Sequence, residues 1–291
     1  MNRLTSTLGS AVQLVGSAPG FPLTVQEAHA LDTRSLHHYP GWVVLHLPHD
    51  APEVPADVRD QFLLDDGELG REILRMTDHR TADLFGARRA AGRLARAPVS
   101  RLIVDVERFA EDALEPMAAA GMGAVYTHTS SNRPLRRPLD PSEREALLER
   151  WYRPHHRRLE QLVEHALRHH GRAVLLDAHS FPSKPLPYEG AASPDRPDIC
   201  IGTDSFHTPA ALRDAFVSGF SSEGLRVAVD TPFSGALVPA RHYRREPRVQ
   251  SVMVEVNRCL YLDEATGLPA KGFAEVAATV QACCIAALGG L

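Results

Sequence analysis

Leu159-Glu160-Gln161-Leu162-Val163-Glu164-His165-Ala166-Leu167-Arg168-His169-His170-Gly171-Arg172-Ala173-Val174-Leu175-Leu176-Asp177-Ala178-His179-Ser180 is the stretch whose reading decides the fold. Its first half presents Leu159, Leu162, Val163, Ala166 and Leu167 on one side of a helix. Gly171 suits the left-handed position beyond a helix end, and an apolar run comes next that ends in an aspartate and a histidine. Helix, glycine, strand is the alternation of an α/β sheet, and a strand apolar throughout is one covered on both faces.

Working outward, the candidate strands are Trp42 to Leu47, Leu102 to Val106, Ala173 to Leu176, Ile199 to Ile201, Val227 to Val229 and Val252 to Val256. Met253 and Glu255 fall on the face opposite Val252, Val254 and Val256, so the last strand is expected to border a cleft. Upstream, Asp140 caps a helix, Pro141 fits its first position and Glu143 completes a capping box, and Pro154 is expected to break or kink that helix. Near the C-terminus Phe273, Val276, Ala277, Val280 and Cys284 recur at helical spacing, so the vicinal Cys283-Cys284 pair reads as core packing rather than redox chemistry. With no internal repeat and no low-complexity linker, one domain over residues 1–291 is expected, residues 1–40 being its least certain part.

Composition narrows the function classes. The 291 residues carry a formal charge of -4, and partial protonation of fifteen histidines brings that close to neutrality, so no basic face for nucleic acid emerges. The longest uncharged stretch, Leu4 to Gln26, holds Thr, Ser, Gln, Gly and Pro throughout; it reads neither as a membrane span nor as a signal peptide. Four cysteines without a C-x-x-C pair make no disulfide framework, and a cytoplasmic location is the expectation.

The ionisable groups collect after the apolar runs. His49 follows the first, Asp105, Glu107 and Arg108 end the second, Asp177 and His179 end the third, and Glu255 to Arg258 close the last. In open α/β sheets the ligand crevice lies at the carboxyl ends of the strands, so these distant groups are expected to converge. Two histidines and a carboxylate make a catalytic zinc set with a position left for water. His49 and His179 are the best-placed histidines, and Met76 to Asp83 offers the third ligand as Asp78, Asp83 or His79. Zinc lowers the pKa of bound water to about 7 and polarises a carbonyl, while a carboxylate such as Glu255 moves the proton to a leaving amine.

Leu47-Pro48-His49-Asp50, Met76-Thr77-Asp78 with Thr81, Asp83, Leu84 and Phe85, Ser100 to Leu102, and Asp105 to Phe109 form an ordered series of short motifs. Glu115-Pro116-Met117, Gly121-Met122-Gly123, Pro154-His155-His156, Asp177 to Ser183, Asp198 to Asp204, Phe206 to Pro209 and Met253 to Arg258 continue it. Together they resemble the N-formylglutamate amidohydrolase family. The resemblance implies one α/β domain around a mixed, mostly parallel sheet, similar to the zinc carboxypeptidases. It implies hydrolysis of the formyl or a similarly small acyl amide of an acidic amino acid, with formate and the free amino acid as products. His49, Asp78 and His179 would hold one divalent metal, zinc by the resemblance, and Glu255 would be the general base. Arg101 and Arg108 fall where an acidic substrate or an oxyanion needs a guanidinium, or pair with Asp105, Glu107 or Asp112. His207 would orient substrate and Arg241 close over it, unless both are solvated loop residues. The same machinery acting on another N-acyl amino acid, and an inactive relative that binds the metabolite, are the competing readings.

Overall fold

The structure, a computed structural model, describes residues 38–190 and 193–290, so Leu4 to Gln26 lies outside the described residues. A six-stranded sheet is built from β1 (Val43–Leu47), β2 (Leu94–Arg96), β3 (Ala173–Phe181), β4 (Ile199–Gly202), β5 (Val227–Val229) and β6 (Val249–Asn257), in the order β2-β1-β3-β6-β4-β5. Neighbours run parallel except at β4 against β6, which makes the sheet mixed and mostly parallel. A two-stranded ribbon, β7 (Leu262–Asp263) with β8 (Leu268–Pro269), stands apart.

The helices are α1 (Asp66–Met76), α2 (Thr81–Leu84), α3 (Pro141–Leu147), α4 (Arg153–His170), α5 (Ala210–Ser222) and α6 (Phe273–Gly289). Alternation along the strands sends Val44, Leu175 and Val249 to one face, where Leu159, Leu162 and Val163 of α4 cover them. It sends Leu45, Leu176 and Val254 to the other, against Phe216 and Phe220 of α5 and Phe273, Val280 and Cys284 of α6. Cys283 and Cys284 are buried and free, in keeping with core packing.

Both predicted helix signals hold. Asp140 accepts from the Ser142 and Glu143 amides and Glu143 returns the bond to the Asp140 amide, while Gly171 ends α4 at φ 71°. Pro154 does not break the helix. A wider turn at Leu148–Tyr152, in which the Arg153 amide reaches back to the Leu148 carbonyl, joins α3 to α4.

Three expectations are corrected. Leu102 to Val106 is no strand: Leu102, Ile103, Val104 and Val106 are buried in a chain of turns, packed with Met122, Tyr126 and Leu135. The edge position beside β1 belongs to β2, three residues whose arginine-rich surroundings hide them from an apolar pattern. Asp177 and His179 do not follow their strand but lie inside it, because the β3–β6 ladder runs on to Phe181 and Asn257, while Glu255 lies within β6 as expected. His46, Asp177, His179 and Glu255 share the face of Val44 and Leu175, beyond the end covered by α4, with His46 beside Asp177 and His179 beside Glu255.

Candidate active site

Three elements deliver the central groups. His49 follows β1, Asp78 follows the C-terminal end of α1 with its amide bonded to the His49 carbonyl, and His179 stands on β3. All three are buried. His49 Nδ1 and His179 Nδ1 are 3.3 Å apart, and Asp78 Oδ2 is 3.2 Å from the latter and 3.8 Å from the former. Ligands bonded at 2.0–2.1 Å in a tetrahedron stand about 3.3 Å apart, so the three atoms already have the separation of a common coordination shell.

The atoms turned away from that shell are held by partners. His49 Nε2 donates to Asp105 Oδ1 at 2.9 Å, and His179 Nε2 faces Asp177 Oδ1 at 3.2 Å and Glu107 Oε1 at 3.1 Å. Carboxylates only accept, so each Nε2 carries a hydrogen and each Nδ1 is the nitrogen left for the shell. Asp78 Oδ1 is taken by Arg258 Nη2 at 2.9 Å, which leaves Oδ2 inward, where it also accepts from the Ser180 amide. Glu107 is a further carboxylate within ligand reach of His49 and His179, and His46, Glu107 and Asp177 form an adjoining cluster.

Burial is the largest influence on both imidazoles and lowers their basicity. The Asp105 and Asp78 charges nevertheless raise His49, and Glu107, Asp177 and Asp78 raise His179 well above the usual histidine value. Burial likewise opposes ionisation of Asp78 and Asp105, yet His179, His49 and Arg258 hold the first, and Arg101 with His49 the second, well below the carboxylate range. Buried carboxylates that favour protons on two imidazoles are also placed to favour a cation among them, with those protons released on binding. The donor set therefore fits a metal.

Glu255 is different. Burial first, then the Asp78 and Glu107 charges, push its carboxyl up to about 7 against the pull of His179 and His49. Its Oε2 is buried without a hydrogen-bond partner and the residue lines the same cleft, a cavity of about 130 Å³.

The two arginines divide. Arg101 gives both Nε (3.1 Å) and Nη2 (2.7 Å) to Asp105 Oδ2 and is locked in that pair. Arg108 lines the cleft with no hydrogen bond to a carboxylate: Asp105 is 3.7 Å and Glu115 3.9 Å away, and its buried Nε has no partner. Of the alternatives read from sequence, a hydrogen-bonded ion pair with Asp105 describes Arg101, while Arg108 stands at longer ion-pair distance from Asp105 and Glu115 with its Nε unbonded.

Two predicted substrate residues are elsewhere. His207 is fully buried, with Nδ1 bonded to the Val249 carbonyl and Nε2 accepting from the Arg244 amide. Val249 begins β6 and Glu255 lies six residues on, about 20 Å along the strand, so His207 packs the wrong end of the sheet and has no free nitrogen. Arg241 is exposed and paired with Glu160 and Glu164 on the outside of α4. Asp83, the alternative ligand, is paired with Arg80 on α2, and His79 faces the Leu74 carbonyl.

Sequence reasoning left Arg258, Arg75 and Tyr188 without roles, although all three line the cleft. Arg258 was legible in principle as a charge three positions beyond Glu255, just past the end of the same buried strand; Tyr188, in a proline-rich loop, carries no such signal.

Comparison with known proteins identifies the family. The chain is 29% identical over 175 residues to an N-formylglutamate deformylase of Pseudomonas aeruginosa, covering 58% of this chain and 64% of that relative, just under two thirds of its length. It is 27% identical over 231 residues to an N-formylglutamate deformylase of Pseudomonas putida, covering 76% of this chain and 82% of the relative. Among solved structures, an N-formylglutamate amidohydrolase from Ralstonia eutropha JMP134 superposes with a TM-score of 0.75 at 22% identity, over 88% of this chain and 97% of that one. A protein of Agrobacterium tumefaciens superposes with a TM-score of 0.60 at 20% identity, over 87% and 92% of the two chains. These two share the fold. A family model matches residues 42–262, the span that holds β1 to β6 and every group of the cleft, and the chain belongs to the N-formylglutamate amidohydrolase family.

Proposed function

We propose that the protein hydrolyses the N-formyl amide of an acidic amino acid, N-formyl-L-glutamate by the names of its relatives, to formate and the free amino acid. The observation that carries the reading is that two imidazole Nδ1 atoms, one carboxylate oxygen, an unpartnered glutamate oxygen and an unpartnered arginine Nε belong to residues lining a single small cleft. His49, Asp78 and His179 would hold one divalent ion, zinc by its preference for such a mixed nitrogen and oxygen set, with Glu107 as the neighbouring carboxylate. When bound, such an ion lowers the pKa of water and polarises a carbonyl.

The chain's own residues supply the rest. Glu255, near pH 7 in its affinity for protons, takes one from the attacking water and passes it to the departing amine. Arg108 grips a substrate carboxylate with a guanidinium that no carboxylate of the chain hydrogen-bonds. Asp105 holds His49 in its tautomer, and Arg101 holds Asp105. Phe181, Phe233 and Tyr188 wall the cleft and limit water. Buried or unpaired cysteines accord with a reducing cytoplasm, since none of the four is in a disulfide.

Formate release from N-formyl-L-glutamate by wild type and Glu255→Gln, paired with metal analysis, tests the scheme. We expect near-stoichiometric zinc in both proteins and a loss of roughly 10²–10⁴-fold in kcat for the variant. Full activity in a metal-free preparation, or a wild-type rate in Glu255→Gln, would refute it.

A further inference from the structure

The catalytic cleft does not end at its own walls. A second cavity of about 390 Å³ adjoins it, three times its size, and the two share Arg75, Pro182, Leu186 and Arg258. Beyond those shared residues the second cavity is lined by Leu74, Pro185, Leu262 and Ala265, with Ser183, Lys184 and Glu264 among them, and its exposed surface is mostly apolar. Of the two cations at the junction, Arg258 is fully engaged by Asp78, Ser180 and the Arg75 carbonyl. Arg75 is half exposed, its nearest carboxylate being Glu72 at 3.5 Å, so its side chain is free to lie along whatever passes.

Direction follows from which residues are shared. Arg101, Glu107, Arg108 and Tyr188 line the cleft but not the second cavity, which opens from the Arg75 and Arg258 end. In the proposed binding mode, with the carboxylate on Arg108 and the amide beside Glu255, the acyl group is assigned to that shared end. A formyl group stops at a single hydrogen and cannot reach an apolar space of this size.

We infer that the second cavity is an acyl subsite, and that the protein also binds and hydrolyses acidic amino acids carrying a longer apolar N-acyl chain, of about four to eight carbons. The inference rests on the proposed amide hydrolysis and on Arg108 as the carboxylate grip. The chemistry balances as for the formyl amide: water adds hydroxyl to the acyl carbon, the C–N bond breaks, and the proton goes to the amine, leaving a fatty acid and the amino acid. Hydrophobic contact along the chain is the attraction, and each buried methylene contributes about fourfold to tenfold.

The test compares N-formyl-, N-butyryl- and N-hexanoyl-L-glutamate on wild type and on Ala265→Trp, by hydrolysis of the zinc-loaded protein and by calorimetric binding of the hexanoyl compound. Ala265 is exposed on the loop between β7 and β8, so an indole there fills the cavity without entering the core. We expect hexanoyl-glutamate to bind and turn over in wild type. We expect Ala265→Trp to weaken its binding and kcat/KM more than about tenfold, with deformylation unchanged within about twofold. An enzyme that deformylates but neither binds nor cleaves the hexanoyl compound overturns the inference, as does hexanoyl binding indifferent to the tryptophan. Absence of deformylation with tryptophan-sensitive hexanoyl binding would instead leave the subsite standing and remove the deformylase reading.

Discussion

Asp105 shows how a single residue can matter more than its position in a motif suggests. It accepts from His49 Nε2, from Arg101, from the Tyr126 hydroxyl at 2.7 Å and from the Glu107 amide at 3.0 Å, so it orients one proposed ligand and anchors the loop that carries another carboxylate. Asp105→Asn leaves the size unchanged and removes the charge. We expect it to weaken zinc affinity by about 10–100-fold, measured by competition with a chelator; unchanged affinity would show that His49 needs no such support. Arg108 makes a complementary prediction, because its buried Nε has no hydrogen-bond partner. Arg108→Met should lower kcat/KM for N-formyl-L-glutamate by about 10–100-fold, as expected for losing one charge-assisted contact, chiefly through KM. N-formyl-L-leucine, with one carboxylate fewer, should suffer less. Equal losses for both substrates would assign Arg108 to the α-carboxylate alone.

At the scale of elements, the site depends on where strands are held. β4 runs antiparallel to β6, and Gly202 at its end faces Met253 in the register. A methyl group at Gly202 would sit 2.3 Å from the Gly235 carbonyl oxygen and 2.3 Å from Met253 Cε, and Met253 lines the cleft. Gly202→Ala should therefore both destabilise the protein by about 1–3 kcal/mol, the range for overpacking, and raise KM. A denaturant titration alongside kinetics checks both effects. α3 offers a control remote from the cleft. Loss of the Asp140 cap in Asp140→Ala should cost about 1 kcal/mol without altering kcat or KM, because the bonds it removes satisfy only the first turn of the helix.

For the molecule as a whole, two buried histidines held neutral contribute to the response to acid, opposed by groups such as His179 and Glu255 that burial and neighbours push the other way. Burial and the neighbouring His46 lower His155 to about 2, and the same two causes lower His156 to about 4, where its Nε2 lies 2.9 Å from the Val106 carbonyl. Their unfolded pKa is about 6.5, so between that value and the folded one the unfolded chain binds more protons. The stability they contribute is complete above pH 6.5 and is lost as pH falls toward 4. Asp78 and Asp105, depressed below their ordinary value, add a further loss at still lower pH. Compared by urea unfolding from pH 7 to 4, wild type should lose stability relative to His156→Gln with a slope difference of about one proton; an unchanged slope would mean that His156 is not buried neutral. Zinc acts in the opposite sense. At a hundredfold excess over its Kd it should add about 2.7 kcal/mol, lost again on chelation, and read as a shift in Tm.

The local pattern of the chain determined the elements whose signals are local. The α3 capping box, Gly171 after α4, the apolar cores of β1, β3 and β6, and the alternation that turned Met253 and Glu255 toward a cleft were all legible, because each depends on neighbours a few residues away. His49, Asp78, His179 and Glu255 could be named through short motifs, but their convergence could not be measured. Only the tertiary structure decided that Leu102 to Val106 forms buried turns, that Arg101 is hydrogen-bonded to Asp105 while Arg108 keeps an unbonded Nε facing the cleft, and that His207 lies at the far end of β6. Those outcomes depend on which distant groups satisfy a buried charge or a buried nitrogen. Such pairing is settled by three-dimensional proximity, on which periodicity along the chain has no hold.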